Sequence, residues 1–280
     1  MINNTELGVS TWSLHHRLGT YYSDAGGVRR AELIWGTGNA SLIDVIGEAA
    51  ENGFGAIEIC HFHLPDRSDE YLQQVKTQCA QSKVRILALL IDDGDIINPD
   101  PDVRSADFAM IAEWIRIAGV LGAERVRISA GHQESPADGP VLQQSAHQLL
   151  ELAKLGESLG VAVETENWHA LLSGPDQVTR LMELTKGSIG FKLDFGNWPN
   201  NRKYMDLPKV AQYATSTHAK SHYNGDTLDV EDFLRCCDIC KDAGFTGPHV
   251  LVYDGPGDEW ERLREIAALI LPYLARAQSV

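Results

Sequence analysis

Short apolar runs recur along the chain, each reached through an amphipathic stretch that closes on a glycine. Gly53 precedes the run at 54–59, Gly122 that at 123–128, Gly160 that at 161–163, Gly187 that at 188–193 and Gly244 that at 245–252. Glycine ends helices because it enters the left-handed conformation without a Cβ clash, and the runs that contain valine and isoleucine suit buried parallel strands. The rhythm predicts strands over 7–13, 56–61, 85–91, 125–129, 161–167, 189–194, 215–219 and 249–254. Helices are expected over 41–52, 69–83, 102–121, 141–159, 176–185, 207–214, 230–243 and 260–275. Eight alternations in 280 residues fit one (β/α)8 TIM barrel, a fold of about 250 residues, with the chain as a single domain. An open doubly wound sheet is the alternative, but no Gly-x-Gly-x-x-Gly follows the first strand. The long first loop, 14–40, carries Tyr21, Tyr22, Arg29, Arg30 and several glycines. It reads either as a lid or as a partly disordered or subunit-contacting insertion.

A barrel makes a sharp demand: chemistry gathers at the carboxyl ends of its strands. The first strand runs into Trp12, His15 and His16, the second into His61 and His63, the third into Asp92, Asp93 and Asp95. The fourth meets Arg127 and His132, the fifth Glu166, Asn167 and His169, and the sixth Asp194 and Asn197. The seventh meets His218, Lys220 and His222, and the eighth Asp254. The opposite turns are mostly glycine and small residues. That asymmetry points to an enzyme.

Side chains alternate along a strand, so Ala162, Glu164 and Glu166 share one face. Two carboxylates aimed into one cleft repel each other and resist desolvation unless a cation compensates them. Glu166, Asp194 and His218 fall at the ends of three successive strands, and strands ~4.8 Å apart can bring such side chains to one ion. Two carboxylates and an imidazole suit one divalent metal ion, Mn, Co, Mg or Zn. The other reading pairs Glu166 with Lys192 or Lys220 and leaves His218 hydrogen-bonded in the core. His61 and His63 flank Phe62 and so share a face, as binders of substrate hydroxyls or as loop residues. Glu58 reads as an inward polar residue or a partner for Arg127. Lys220 either binds a substrate oxygen or neutralises Asp194. Asp92, Asp93 and Asp95 resemble a cation cluster, although Asp-Gly followed by prolines is the signature of a turn. Trp12, Trp168 and Trp198 stand at strand ends, where aromatic faces stack on sugar rings or simply pack.

Composition narrows the partners. A formal charge of −15 argues against nucleic acid, whose phosphates need clustered Lys and Arg. A 44% hydrophobic content supports a large core, yet no run is long enough for a membrane span, and the start lacks a signal-peptide pattern. Of five cysteines, Cys236, Cys237 and Cys240 have helical spacing and read as small buried hydrophobes; with Cys60 and Cys79 the odd count suggests a reducing cytoplasm.

Glu166, Asn167 and His169, the segment Leu193-Asp194-Phe195-Gly196-Asn197, and Thr217-His218-Ala219-Lys220 resemble the sugar phosphate isomerase/epimerase family. That family sits in the xylose-isomerase-like barrel superfamily, with ketose 3-epimerases, inosose dehydratases and endonuclease IV. The resemblance covers essentially the whole chain and implies that Glu166, Asp194 and His218 ligate the metal. Where the family usually reads Asp-x-x-His, this chain has Asn197, which implies altered polar recognition. Where the epimerases carry an eighth-strand glutamate, it has Val252, which can neither ligate nor accept a proton. Asp254 lies two residues on and shares that face, so it is the expected substitute.

The sequence therefore implies a metal-dependent sugar isomerase or epimerase, possible as a homo-oligomer, acting on a small carbohydrate by proton transfer beside a polarised carbonyl. Glu166 and Asp254 are the expected catalytic pair, and Trp12, His61, His63, Arg127, Asn167, His169, Asn197 and Lys220 the expected substrate contacts. A lyase that eliminates water from a keto-sugar is the alternative, motivated by Val252; a carbohydrate-binding barrel without turnover is a further one.

Overall fold

The computed structural model describes residues 4–24, 29–199 and 201–274. Parallel strands β1 (Asn4–Ser10), β2 (Phe54–Cys60), β3 (Arg85–Ile91), β4 (Arg125–Ile128), β5 (Ala162–Glu166), β6 (Gly190–Asp194), β7 (Ala214–Lys220) and β8 (His249–Val252) close into a barrel, with β8 hydrogen-bonded back to β1. The main helices are α1 (Leu42–Glu51), α2 (Asp69–Ser82), α3 (Pro101–Leu121), α4 (Pro140–Ser158), α5 (Pro175–Thr185), α6 (Lys203–Val210), α7 (Val230–Asp242) and α8 (Glu259–Leu274). The expected (β/α)8 architecture is present as one barrel.

Where boundaries moved, local chemistry explains it. β1 stops at Ser10 because the Ser10 hydroxyl accepts the Trp12 N–H and turns 11–14 into a 3-10 helix, where a strand was expected. α3, α4 and α5 each begin on a proline, whose missing N–H lacks an intrahelical partner at that position anyway. α6 starts four residues before its predicted 207, at Lys203, whose buried ammonium is held by both Asp232 carboxylate oxygens at 2.7 Å. The three α7 cysteines are buried and free, and burial pushes the Cys236 thiol up to about 12. No described helix is long and apolar enough to cross a membrane.

Alternation sorts the strands into two faces. Val9, Ile57, Leu89, Val126, Val163, Phe191 and Leu251 join the main apolar core with the helices. The other face fills the barrel interior. Its floor is Ala56, Val250 and Leu87, the extra residue where the register between β2 and β3 shifts and alternation is broken, and it is so narrow that a Cβ at Gly8 would lie 3.2 Å from Val250. Above it is a layer of ions rather than the branched aliphatics usual in such barrels. The Lys192 ammonium reaches Glu58 at 2.6 Å, Glu164 at 3.0 Å and the Ser216 hydroxyl at 2.8 Å, all fully buried. Glu58 thus pairs with Lys192, not Arg127. Burial opposes its charge, but Lys192 and His218 outweigh it and bring the carboxyl down to about 2.

His249, at the start of β8, is buried and hydrogen-bonded to Thr217, and burial lowers its imidazole to about 4. The unfolded chain binds that proton near pH 6.5 and the folded one only near pH 4. This group therefore adds stability above pH 6.5 that is lost as pH falls toward 4, by up to about 3 kcal/mol. In urea unfolding at a series of pH values, His249→Gln should flatten the loss across that window; an unchanged slope would refute the assignment.

The first loop lies on the carboxyl face. It forms a short helix (His15–Leu18) and a hairpin pairing Tyr21–Ser23 with Arg30–Glu32; residues 25–28 fall outside the described residues. Tyr21 stacks on Phe62 and donates its hydroxyl to Asp93, Trp35 meets Trp12 edge-on, and the Arg29 guanidinium donates to the carbonyls of His61 and Leu64.

Candidate metal centre and active site

β5, β6 and β7 end side by side, with Glu166 paired in register to Lys192 and Asp194 to His218. Glu166, Asp194 and His218 each offer a ligand atom, and these atoms all lie within 4.8 Å of one another, buried. His218 Nδ1 is 3.4 Å from Glu166 Oε1 and 3.6 Å from Asp194 Oδ2, while its Nε2 is 2.7 Å from Glu58 Oε2. Burial opposes a charge on this ring, but Glu166 and Glu58 outweigh it and hold its pKa well above the ordinary value.

Backbone and side-chain donors fix the carboxylates. Asp194 Oδ1 accepts the N–H groups of Gly196 and Asn197, and the Asn197 amide donates to Glu166 Oε1 at 2.9 Å. Glu166 Oε2 is 2.9 Å from Arg127 Nε, and the same guanidinium meets Asp92 at 2.6 Å and lies 5.0 Å from the Trp168 ring centroid. Burial opposes the Arg127 charge, but Asp92 and Glu166 outweigh it and raise its pKa.

A cavity of about 150 Å³ opens over these groups, lined on its other sides by Trp12, Cys60, Leu90, Lys220 and Val252. That is below the ~300 Å³ at which drug-sized pockets begin and suits a small polar molecule. A larger hollow of about 510 Å³ lies against α4 and the start of β5, away from the strand carboxyl ends and the clustered acids.

Seven of the residues expected to ligate a metal or touch substrate therefore meet here: Trp12, Arg127, Asn197 and Lys220 beside the candidate ligands Glu166, Asp194 and His218. The others do not. His61 and His63 sit in a 3-10 turn, not on a continuing strand, and both are buried behind the wall: His61 is 3.1 Å from Asp93 and His63 is bonded to Thr11. Asn167 uses both ends of its amide on the backbone of Asp194, tying β5 to β6. His169 turns away at φ 59° and packs between Trp168 and His132, where burial and His132 lower it to about 4. Asp254 stands at the exposed rim, 3.7 Å from Lys220, and Val252 takes the place in the wall. Trp198 is buried packing. The three aspartates after β3 divide: Asp92 lines the cavity, Asp93 holds His61 and Tyr21, and Asp95 accepts the Ile97 N–H.

The sequence profile of the xylose isomerase-like TIM barrel matches residues 46–230. The chain belongs to that family. Among curated proteins none matches by sequence. Solved structures that resemble this xylose isomerase-like barrel include an L-ribulose 3-epimerase, 17% identical, with TM-score 0.71 over 97% of this chain and 95% of that one. A D-psicose 3-epimerase in the presence of D-fructose is 13% identical, with TM-score 0.69 over 96% and 99%. A xylose isomerase-like barrel from Mycobacterium smegmatis in complex with magnesium is 18% identical, with TM-score 0.63 over 83% and 89%. At these identities the likeness is one of fold.

The donor set of this family member fits a divalent ion. Bonds of ~2.1 Å place neighbouring ligand atoms roughly 3–4 Å apart, close to the separations around His218 Nδ1. Among the described residues this is the one such grouping of three. Glu58 joins the site through His218 and Lys192 rather than through Arg127, and Lys192 pairs with Glu58 and Glu164 rather than with Glu166; a glutamate and a lysine at inward positions of apolar strands were the signal in the sequence.

Proposed function

We propose that the chain is a divalent-metal-dependent sugar isomerase or epimerase that moves a proton on the carbon beside a carbonyl of a small carbohydrate. The observation that carries this reading is the convergence of Glu166, Asp194 and His218 on one side of a small cavity walled by Trp12 and Trp168. The fold likeness to sugar epimerases supports the substrate class. A divalent ion held by the three ligands would polarise the carbonyl and ease loss of the adjacent proton.

Glu166 is the proton-transfer group, its carboxylate aimed by Arg127 and Asn197. Arg127 is itself fixed by Asp92, so the base cannot swing from the cavity. Lys220, 26% exposed at the wall beside Val252, supplies the positive charge that faces a substrate oxygen, with Asp254 holding it from the rim. Gly196 lets the lysine stem pass: a Cβ there would lie 2.7 Å from Lys220 Cδ.

Val252 favours a second reading. With no acid on β8 in the wall, one carboxylate serves the reacting carbon, which suits isomerisation or elimination of water from a keto-sugar better than a symmetric two-base epimerisation. A panel of sugars and keto-sugars in deuterated water, with Mn, Co, Mg or Zn added, separates these. Isomerisation or epimerisation should label the product carbon beside the carbonyl, while elimination should give a product lighter by one water. Chelation should stop either, and metal should restore it. A protein that binds no metal under any condition and converts none of the panel would sink the proposal.

A further inference from the structure

We propose that Glu58 is a positioning residue for the metal centre: it holds His218 with the ring proton on Nε2, leaving Nδ1 free to ligate. The inference rests on the metal-centre reading above and adds a residue to it. His218 has two nitrogens with different neighbours. Nδ1 faces Glu166 and Asp194, at 3.4 and 3.6 Å, whereas Nε2 meets Glu58 Oε2 at 2.7 Å. An ionised carboxylate only accepts hydrogen bonds, so the proton in that contact belongs to the ring. The partner of one imidazole nitrogen thereby decides which nitrogen carries the lone pair.

Glu58 is able to impose this because it is itself immobile. It lies inside β2 with no exposed surface, so water cannot compete for its oxygens. Its other oxygen, Oε1, takes the Lys192 ammonium at 2.6 Å, and Lys192 is anchored by Glu164 at 3.0 Å and the Ser216 hydroxyl at 2.8 Å. The ionic layer thus runs from the barrel interior to the ligand ring. A ring with Nε2 deprotonated would set its lone pair against Glu58 Oε2 at 2.7 Å, while Lys192 engages the other oxygen, Oε1.

Zinc affinity and nitrogen NMR of the histidine rings test this together. In the zinc-loaded wild type, His218 should carry its proton on Nε2 and the metal on Nδ1. In Glu58→Gln the amide oxygen should turn to Lys192 and its NH₂ to Nε2, which drives the ring to the Nδ1–H tautomer. Zinc affinity measured by calorimetry should then fall about 10–100-fold, as for other outer carboxylate partners of metal-bound histidines. Glu164→Gln, which alters the same ionic layer but not the Glu58–His218 contact, should leave zinc affinity and tautomer unchanged. Equal affinity losses in the two variants, an unchanged affinity in Glu58→Gln, or a wild-type ring with its proton on Nδ1 would each overturn the role of Glu58. The wild-type spectrum decides alone should Glu58→Gln not fold. A wild type that binds no zinc or other divalent ion removes the metal-centre reading itself, a result distinct from all of these.

Discussion

Glu166→Gln is expected to lower kcat/KM on the panel compound that the protein converts by about 10²–10⁴-fold, the range over which a positioned proton-transfer group acts. The substitution keeps the shape of the side chain, and its amide oxygen still accepts from Arg127 Nε, 2.9 Å from the carboxylate it replaces. The fold should therefore persist, and a loss of activity reports chemistry. The neutral amide removes one of the two acids of the proposed metal centre; among the described residues the other carboxylates lining the cavity are Asp194 and Asp92. Asp92 is not a ready replacement, since Arg127 binds it at 2.6 Å and occupies it. Steady-state kinetics on the substrate found in the panel, with metal content measured in parallel, checks the expectation. Activity within tenfold of wild type would mean that another group moves the proton.

How far the site was legible depends on which residues could act in only one way. Glu166, Asp194 and His218 sit at inward strand ends, where three groups of that chemistry have few neighbours other than each other or a cation. The alternation of strands and helices was equally plain, because glycine at a helix end followed by an apolar run has few other meanings. His61 and His63 misled because two residues flanking a third share a face only while a strand continues, and the chain turns at Cys60. Asn167 misled because an amide serves a ligand or a backbone equally well; only the pairing of β5 with β6 shows that Asp194 takes both of its ends. Asp254 shares alternation with Val252, but β8 ends at Val252, so the parity stops applying before the aspartate is reached. Asp92 shows the reverse: it lies just past β3, looked like part of a turn, and reaches the wall because Arg127 draws it in. Tertiary partners, rather than local spacing, decided each of these.

The same dependence on partners predicts the largest stability change in the barrel. Lys192→Met should destabilise the protein by about 3–5 kcal/mol, the typical loss when one member of a buried ion pair is removed. Methionine fills much of the lysine stem's volume, so packing is largely kept. What is lost is, among the described residues, the only cation within 3.0 Å of both Glu58 and Glu164, each fully buried. His218 still meets Glu58, and Ser216 still donates to Glu164 at 2.9 Å, but among the described residues the latter keeps only the distant Arg125 guanidinium, 3.9 Å away, as a positive partner. Against a typical total of about 5–15 kcal/mol, such a loss removes a large fraction of the folded state's margin. The pH dependence gives the sign of the cause. With Lys192 present, Glu58 has its carboxyl lowered to about 2 from 4.5, so it contributes stability above pH 4.5 that disappears as pH falls toward 2. Without the ammonium that carboxyl titrates higher, and protonation relieves the buried charge. The gap between wild type and Lys192→Met in urea unfolding should therefore be widest near neutral pH and narrow below pH 4.5. A gap that is under about 1 kcal/mol, or that stays constant with pH, would show that the lysine acts in the barrel by packing and not by charge.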